Sequence, residues 1–132
     1  MSRKYLEKAG VEIDTTIDPL GSSQNDKRSA QWKEEMELYG FSSPELWNLD
    51  RTMLYKLYER LCMWQEYGLS GEEDRIVIDG HDATLEHWVN EIMKMCQDIF
   101  NQDNDVFDSA QSAHISQKVW NMWAEISPMM WV

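Results

Sequence analysis

Residues Leu46 to Tyr67, LWNLDRTMLYKLYERLCMWQEY, constrain this chain more than any other stretch. Apolar side chains fall at 53, 54, 57, 58, 61, 64 and 67, a helical spacing that lays them along one wide stripe. Asp50 stands where its carboxylate can cap the free N–H groups of Thr52 or Met53, and Gly68 breaks the pattern just past its end. About 18 residues at roughly 1.5 Å each make a rod of about 27 Å, enough to span a domain of this size. Arg51, Lys56, Glu59, Arg60 and Glu66 on the other face read as a solvated mixture. A chain of 132 residues built around such a rod is expected to form one helical domain.

Ahead of that domain, residues 1–28 read as a flexible N-terminal arm. The start KYLEKAG is helix-capable, but Pro19, Gly21 and the serines then break any periodicity. The alternative is that Val11, Ile13 and Ile17 pack on the body as an extended strand. The domain proper covers 29–132. Ser29 is expected to cap a short helix with Trp32, Met36 and Tyr39 on one face, stopped by Gly40. Ser43-Pro44 then starts a brief turn to Asn48 that lays Leu46 and Trp47 against the body.

Beyond the long helix, Arg75-Ile76-Val77-Ile78 ahead of Asp79-Gly80 predicts a small β-like hairpin arm around residues 69–83. Such a ribbon is marginal alone and must lean on the helices. Thr84 is expected to cap a helix over 85–100 with Leu85, Trp88, Val89, Ile92, Met95, Cys96, Ile99 and Phe100 as its stripe. An acidic linker, 102–108, leads to a last helix running to Ile126, with Ala110, Ile115, Val119, Met122, Trp123 and Ile126 on one side. Ser127-Pro128 ends it. The fold class is therefore all-α, a bundle of three main helices plus a shorter N-terminal helix, carrying a hairpin arm.

Charge sorts the partners. The formal net charge is −12, from 12 basic and 24 acidic residues. Residues 1–30 hold five of each sign, so the remainder carries seven basic against nineteen acidic residues. A domain that negative repels nucleic acid and anionic lipid and attracts a basic protein surface. No apolar run approaches the roughly 18 residues of a membrane span, and no secretory signal is visible, so a cytoplasmic protein is expected.

Catalytic and metal chemistry find little support. Asn101 to Asp105 alternates oxygen ligands like a calcium loop, but Val106 replaces the turn glycine and Ser112 the bidentate Glu. His81, His87, His114 and Cys96 share no zinc-ligand spacing. Cys62 and Cys96 read as reduced, buried small hydrophobes. The carboxylates of the insert adjoin glycines in a turn, a hydrated rim rather than the water-poor pocket acid–base catalysis needs. Neither a nucleophile motif nor a phosphate-cradling glycine loop occurs. No enzyme, cofactor or metal site is expected. Six of the seven Trp residues fall on helical stripes as core. Trp131 lies off any stripe, and the tail Met129-Met130-Trp131-Val132 is either the last of the core or a docking surface.

The run Trp47-Asn48-Leu49-Asp50-Arg51-Thr52, followed by Tyr58-Glu59-Arg60-Leu61, resembles a group of small phage and prophage proteins without assigned function. Leu85-Glu86 to Ile92 and the aromatic Val119–Trp131 segment sit in the corresponding places, so the likeness spans about residues 40 to 131. The chain departs from the pattern in its Met-Met-Trp-Val ending, and its N-terminal arm has no counterpart. The resemblance implies a phage-derived origin and no reaction. Together these readings point to a small acidic accessory protein that binds a protein partner with a basic surface. One form of this is inhibition of a CRISPR-type machine by occupying its nucleic-acid groove. The interaction residues expected are Glu72, Glu73, Asp74, Asp79, Asp82, Asp98, Asp103, Asp105, Asp108 and Trp131. The alternative is a phage structural, assembly or self-associating protein, with the apolar tail as its oligomer seam.

Overall fold

The structure, a computed structural model, describes residues 3–11, 28–46, 49–68, 74–102 and 109–130. Five α-helices and one two-stranded antiparallel hairpin make up its regular structure, and helix accounts for 77% of the described residues. The mainly helical class with a small hairpin is as expected. The chain divides into two compact units, Met1–Arg60 and Leu61–Val132.

In the first unit, α1 (Lys4–Lys8) places Leu6 with no exposed surface. The Arg3 guanidinium donates to both oxygens of Glu59, at 2.7 Å through Nε and through Nη2. The helix-capable start is thus a helix, fixed by one buried leucine and one forked ion pair. Residues 12–27, the rest of the expected arm, lie outside the described residues. Helix α2 (Ser29–Tyr39) begins at Ser29 instead of being capped by it; no side chain caps it, and the Arg28 guanidinium lies 4.9 Å from the Trp32 ring. Trp32 is buried, but Tyr39 stands 66% exposed, so the stripe expected on α2 stops short. Gly40 ends the helix in the left-handed conformation, with its N–H donated to the Met36 carbonyl.

A 3₁₀ turn, Ser43–Leu46, is tied to α2 by the Glu35 carboxylate, which accepts the Ser43 N–H at 3.1 Å and the Ser43 hydroxyl at 2.5 Å. The turn buries Pro44 and Glu45 and leaves Leu46 54% exposed, contrary to the expectation that Leu46 lies against the body. Trp47 lies outside the described residues. Helix α3 (Leu49–Glu66) starts before Asp50, which sits in the first turn and not at the cap. Its buried residues are Thr52, Leu54, Tyr55, Leu57, Tyr58 and Leu61, while Met53 and Tyr67 of the expected stripe are exposed. Lys56 and Glu59, expected to be solvated, make ion pairs with Glu45 and Arg3.

Ser42 carries the one defect in this region. Its hydroxyl is buried without a hydrogen-bond partner among the described residues. A buried unsatisfied polar group costs about 1–3 kcal/mol. Ser42→Ala should therefore raise stability, by about 0.5–1 kcal/mol once the lost contacts are counted, read as a higher urea midpoint. A lower midpoint would show that the hydroxyl is satisfied.

In the second unit, β1 (Arg75–Ile78) pairs antiparallel with β2 (His81–Thr84), Ile76 opposite Ala83 and Ile78 opposite His81. The two-residue connection has φ 53° at Asp79 and 78° at Gly80. Positive φ at both positions is the type I′ geometry whose twist matches a hairpin, and Asp-Gly supplies it with little strain. Helix α4 (Leu85–Gln102) follows β2 without a break. Thr84 Oγ1 accepts the His87 N–H at 3.1 Å, the cap expected of it. All eight residues of the expected α4 stripe are buried except the half-buried Met95. Helix α5 (Ser109–Ile126) packs on α4, buries Ser112, Ser116, Val119 and Ile126, and runs into a 3₁₀ turn, Ser127–Met129. Ile115, Met122 and Trp123 are only half buried, and the side chain of Ala110 lies outside the described residues.

Candidate functional site

Of the four expected interaction residues that are described, Asp74, Asp79 and Asp82 lie on or beside the hairpin. Period-2 alternation turns Ile76, Ile78 and Ala83 toward the helices and Val77 and Asp82 away from them, with Val77 61% exposed. Three contacts hold the ribbon in place. The Trp88 indole N–H donates to the Ile76 carbonyl at 2.9 Å, the Leu85 N–H donates to the Asp74 carbonyl at 2.9 Å, and β1 packs against α5. Asp74, Asp79 and Asp82 are all exposed along this short ribbon. Arg75 Nε lies 3.3 Å from Asp82, but both side chains are more than half exposed, so the pair adds little stability.

Asp98 is also exposed, on α4, about 20 Å along the helix axis from the hairpin end at Leu85. It does not share the hairpin's acidic group. Glu72, Glu73, Asp103, Asp105, Asp108 and Trp131 lie outside the described residues. The charge is divided more sharply than the sequence reading supposed. Leu61–Val132 contains three Lys or Arg residues, Arg75, Lys94 and Lys118, against thirteen Asp or Glu. Met1–Arg60 contains nine against eleven. Ten of the twelve net negative charges belong to the second unit.

The histidines do not form a ligand set. His81, His87 and His114 are exposed. His81 and His87 lie with ring centroids 6.0 Å apart, each edge-on to Trp88 at 5.7 and 5.0 Å. Among the described residues no three His, Cys, Asp or Glu side chains could hold a metal ion together. Nor is any helix there long and apolar enough to cross a membrane.

Neither cysteine is in a disulfide; Cys96 is buried, and Cys62, expected to be buried, is half-buried. Burial pushes the Cys96 thiol up to about 12 from an ordinary 9.0, and the nearby Cys62 adds to the shift. The folded chain thus keeps a proton that the unfolded chain loses. Stability from Cys96 is intact below about pH 9 and falls by up to about 1.4 kcal/mol per pH unit toward pH 12. Comparing the urea midpoints of wild type and Cys96→Ala across this range should show the wild type losing more. Parallel slopes would rule the effect out.

A set of exposed apolar residues in the first unit was missed from sequence: Leu38, Tyr39, Phe41, Leu46, Leu49 and Met53. The signal was the density of Leu38-Tyr39-Gly40-Phe41, more apolar surface than one helical face can bury. No family model matches the chain, and neither a curated protein nor a solved structure matches it.

Proposed function

We propose that the protein acts by binding another protein, with its acidic second unit seated on a basic surface. In the fullest form of this reading it is phage-derived, works inside the bacterial host cell, and blocks the nucleic-acid groove of a CRISPR-type effector. Within that unit α4 and α5 pack on each other and the hairpin leans on both. The observation that carries the reading is thirteen acidic residues against three basic ones within 61–132. At most three of those carboxylates can pair one-to-one with a Lys or Arg of their own unit, which leaves a strong unneutralised field. Such a field speeds encounter with a basic partner and discriminates against acidic ones.

The test is a titration of a candidate effector with the protein, at low and at physiological salt. Because charges are screened beyond about 8 Å at physiological strength, the association rate should fall by about tenfold or more as salt rises. The triple substitution Asp74→Asn, Asp79→Asn, Asp82→Asn should lower the rate at low salt. The nucleic acid of the effector should compete for the same surface. Binding indifferent to salt and to nucleic acid would sink the groove-occupying reading.

A further inference from the structure

The hairpin's own hydrogen bonds leave main-chain groups pointing out of it. In a two-residue type I′ hairpin the residues flanking the turn, here Ile78 and His81, exchange both main-chain bonds. Bonded and unbonded pairs then alternate along the ribbon, so Val77 with Asp82 and Arg75 with Thr84 are the unbonded pairs. The bond from the Leu85 N–H to the Asp74 carbonyl keeps the same phase, one step past Arg75 and Thr84. Each residue of an unbonded pair turns its N–H and carbonyl away from the other strand, out to an edge of the ribbon.

The two edges are not equivalent. On β2, Arg75 Nη2 reaches the Asp82 carbonyl at 3.5 Å, and the strand passes straight into α4 at Thr84. On β1, no hydrogen bond reaches Val77 from outside the hairpin among the described residues, and Val77 is 61% exposed. Ile76, Val77 and Ile78 are β-branched and no proline interrupts them, so the strand has the composition of one that pairs. The Trp88 and Leu85 bonds already hold the ribbon in place, which lowers the cost of ordering it on binding.

Charge names the occupant. Asp74 stands just before β1 and Asp79 just after it, both exposed. Arg75, the one Lys or Arg of residues 74–84, lies 3.3 Å from Asp82. A second copy pairing antiparallel through this edge would turn Asp74 of each chain toward Asp79 of the other, like charge on like. A basic segment meets a carboxylate at each end of the strand.

We infer that the outer edge of β1 docks an extended basic segment of the protein partner, which adds as a third strand, bonds to the main chain of Arg75 and Val77, and sets Lys or Arg side chains against Asp74 and Asp79. The inference rests on the proposed binding of a basic partner by the acidic unit, and it fixes the conformation that partner takes. Strand addition draws affinity from main-chain bonds and specificity from the flanking side chains.

The probe is the peptide Lys-Thr-Lys-Val-Lys-Thr-Lys, labelled for fluorescence anisotropy, beside the same peptide N-methylated at alternate amides. Wild type should bind the first, and methylation should weaken binding by about tenfold or more by blocking the edge bonds. Val77→Pro removes an N–H that the ribbon's ladder does not use, and edge strands tolerate proline. It should weaken binding of the unmethylated peptide by a similar factor, while Val77→Thr, which keeps the N–H, should bind as wild type. Absence of binding to wild type overturns the inference, as does equal binding of the methylated peptide or equal loss in Val77→Thr and Val77→Pro. A wild-type dimer in sedimentation that Val77→Pro dissolves overturns it in favour of a second copy. The methylated peptide carries the same charge as its parent, so this comparison is separate from the salt dependence of effector binding, which tests the acidic unit.

Discussion

Replacing Trp88 with Ala should destabilise the protein by about 3–5 kcal/mol, the cost of removing a large buried aromatic. Trp88 is 6% exposed and does two jobs. Its ring fills space at the start of α4, with His81 and His87 edge-on to it, and its N–H satisfies the Ile76 carbonyl. Alanine leaves a cavity, frees that carbonyl and loosens a ribbon that is marginal by itself. Domains of this class are stable by about 5–15 kcal/mol, so the variant should sit near its unfolding midpoint in mild urea. Trp88→Phe separates the parts. It keeps most of the volume and loses the hydrogen bond, so about 1–2 kcal/mol is expected. If both variants unfold where wild type does, the hairpin is not held through Trp88.

The second large effect is expected at Glu45. Its carboxylate is 7% exposed, accepts the Ser42 N–H and lies 2.6 Å from Lys56 Nζ. Glu45→Ala strips both partners at once and should cost about 2–3 kcal/mol. Lys56 is 29% exposed, so water offsets part of the loss and the figure stays below that of a fully buried pair. Glu45→Gln retains an acceptor for the Ser42 amide and gives up the charge, so it should recover about half. A double-mutant cycle with Lys56→Met measures the pair itself, with a coupling of about 1 kcal/mol or more expected. Coupling near zero would place the interaction in solvent, where such pairs contribute little.

Helix α4 was legible from sequence because its burial follows one rule. A single apolar face looks inward, and Thr84 caps it through its own side chain. The hairpin was legible for a similar reason, since Asp79-Gly80 suits one turn type. The misreadings on α3 and α5 share a cause. On α3 the apolar stripe was placed by hydrophobicity, yet Thr52 and Tyr55 are buried while Met53 and Tyr67 are not. Tertiary neighbours, such as the turn held by Glu45, choose which side of such a helix is covered. On α5 the inward line passes through Ser112 and Ser116, which a hydrophobicity pattern counts as outward. Both are buried all the same, so burial on α5 follows position on the helix and not polarity. Helix α2 failed differently: consecutive apolar residues exceed what its inward face can cover, and the surplus became the exposed set. The site was legible as composition, because a net charge of −12 needs no fold to be counted. Its division between the two units was not, since the boundary at Arg60 falls inside a continuous helix.

The uninterrupted join between β2 and α4 has a mechanical side. Thr84 ends the strand and Leu85 begins the helix, with no spare residue to act as a hinge. The Trp88–Ile76 and Leu85–Asp74 bonds brace the angle on its other side. Ribbon and helix therefore form a bent lever, with a short arm of four residue pairs and a long arm of about 27 Å. The Asp79-Gly80 tip is thus tied through one short ribbon to the first turn of α4.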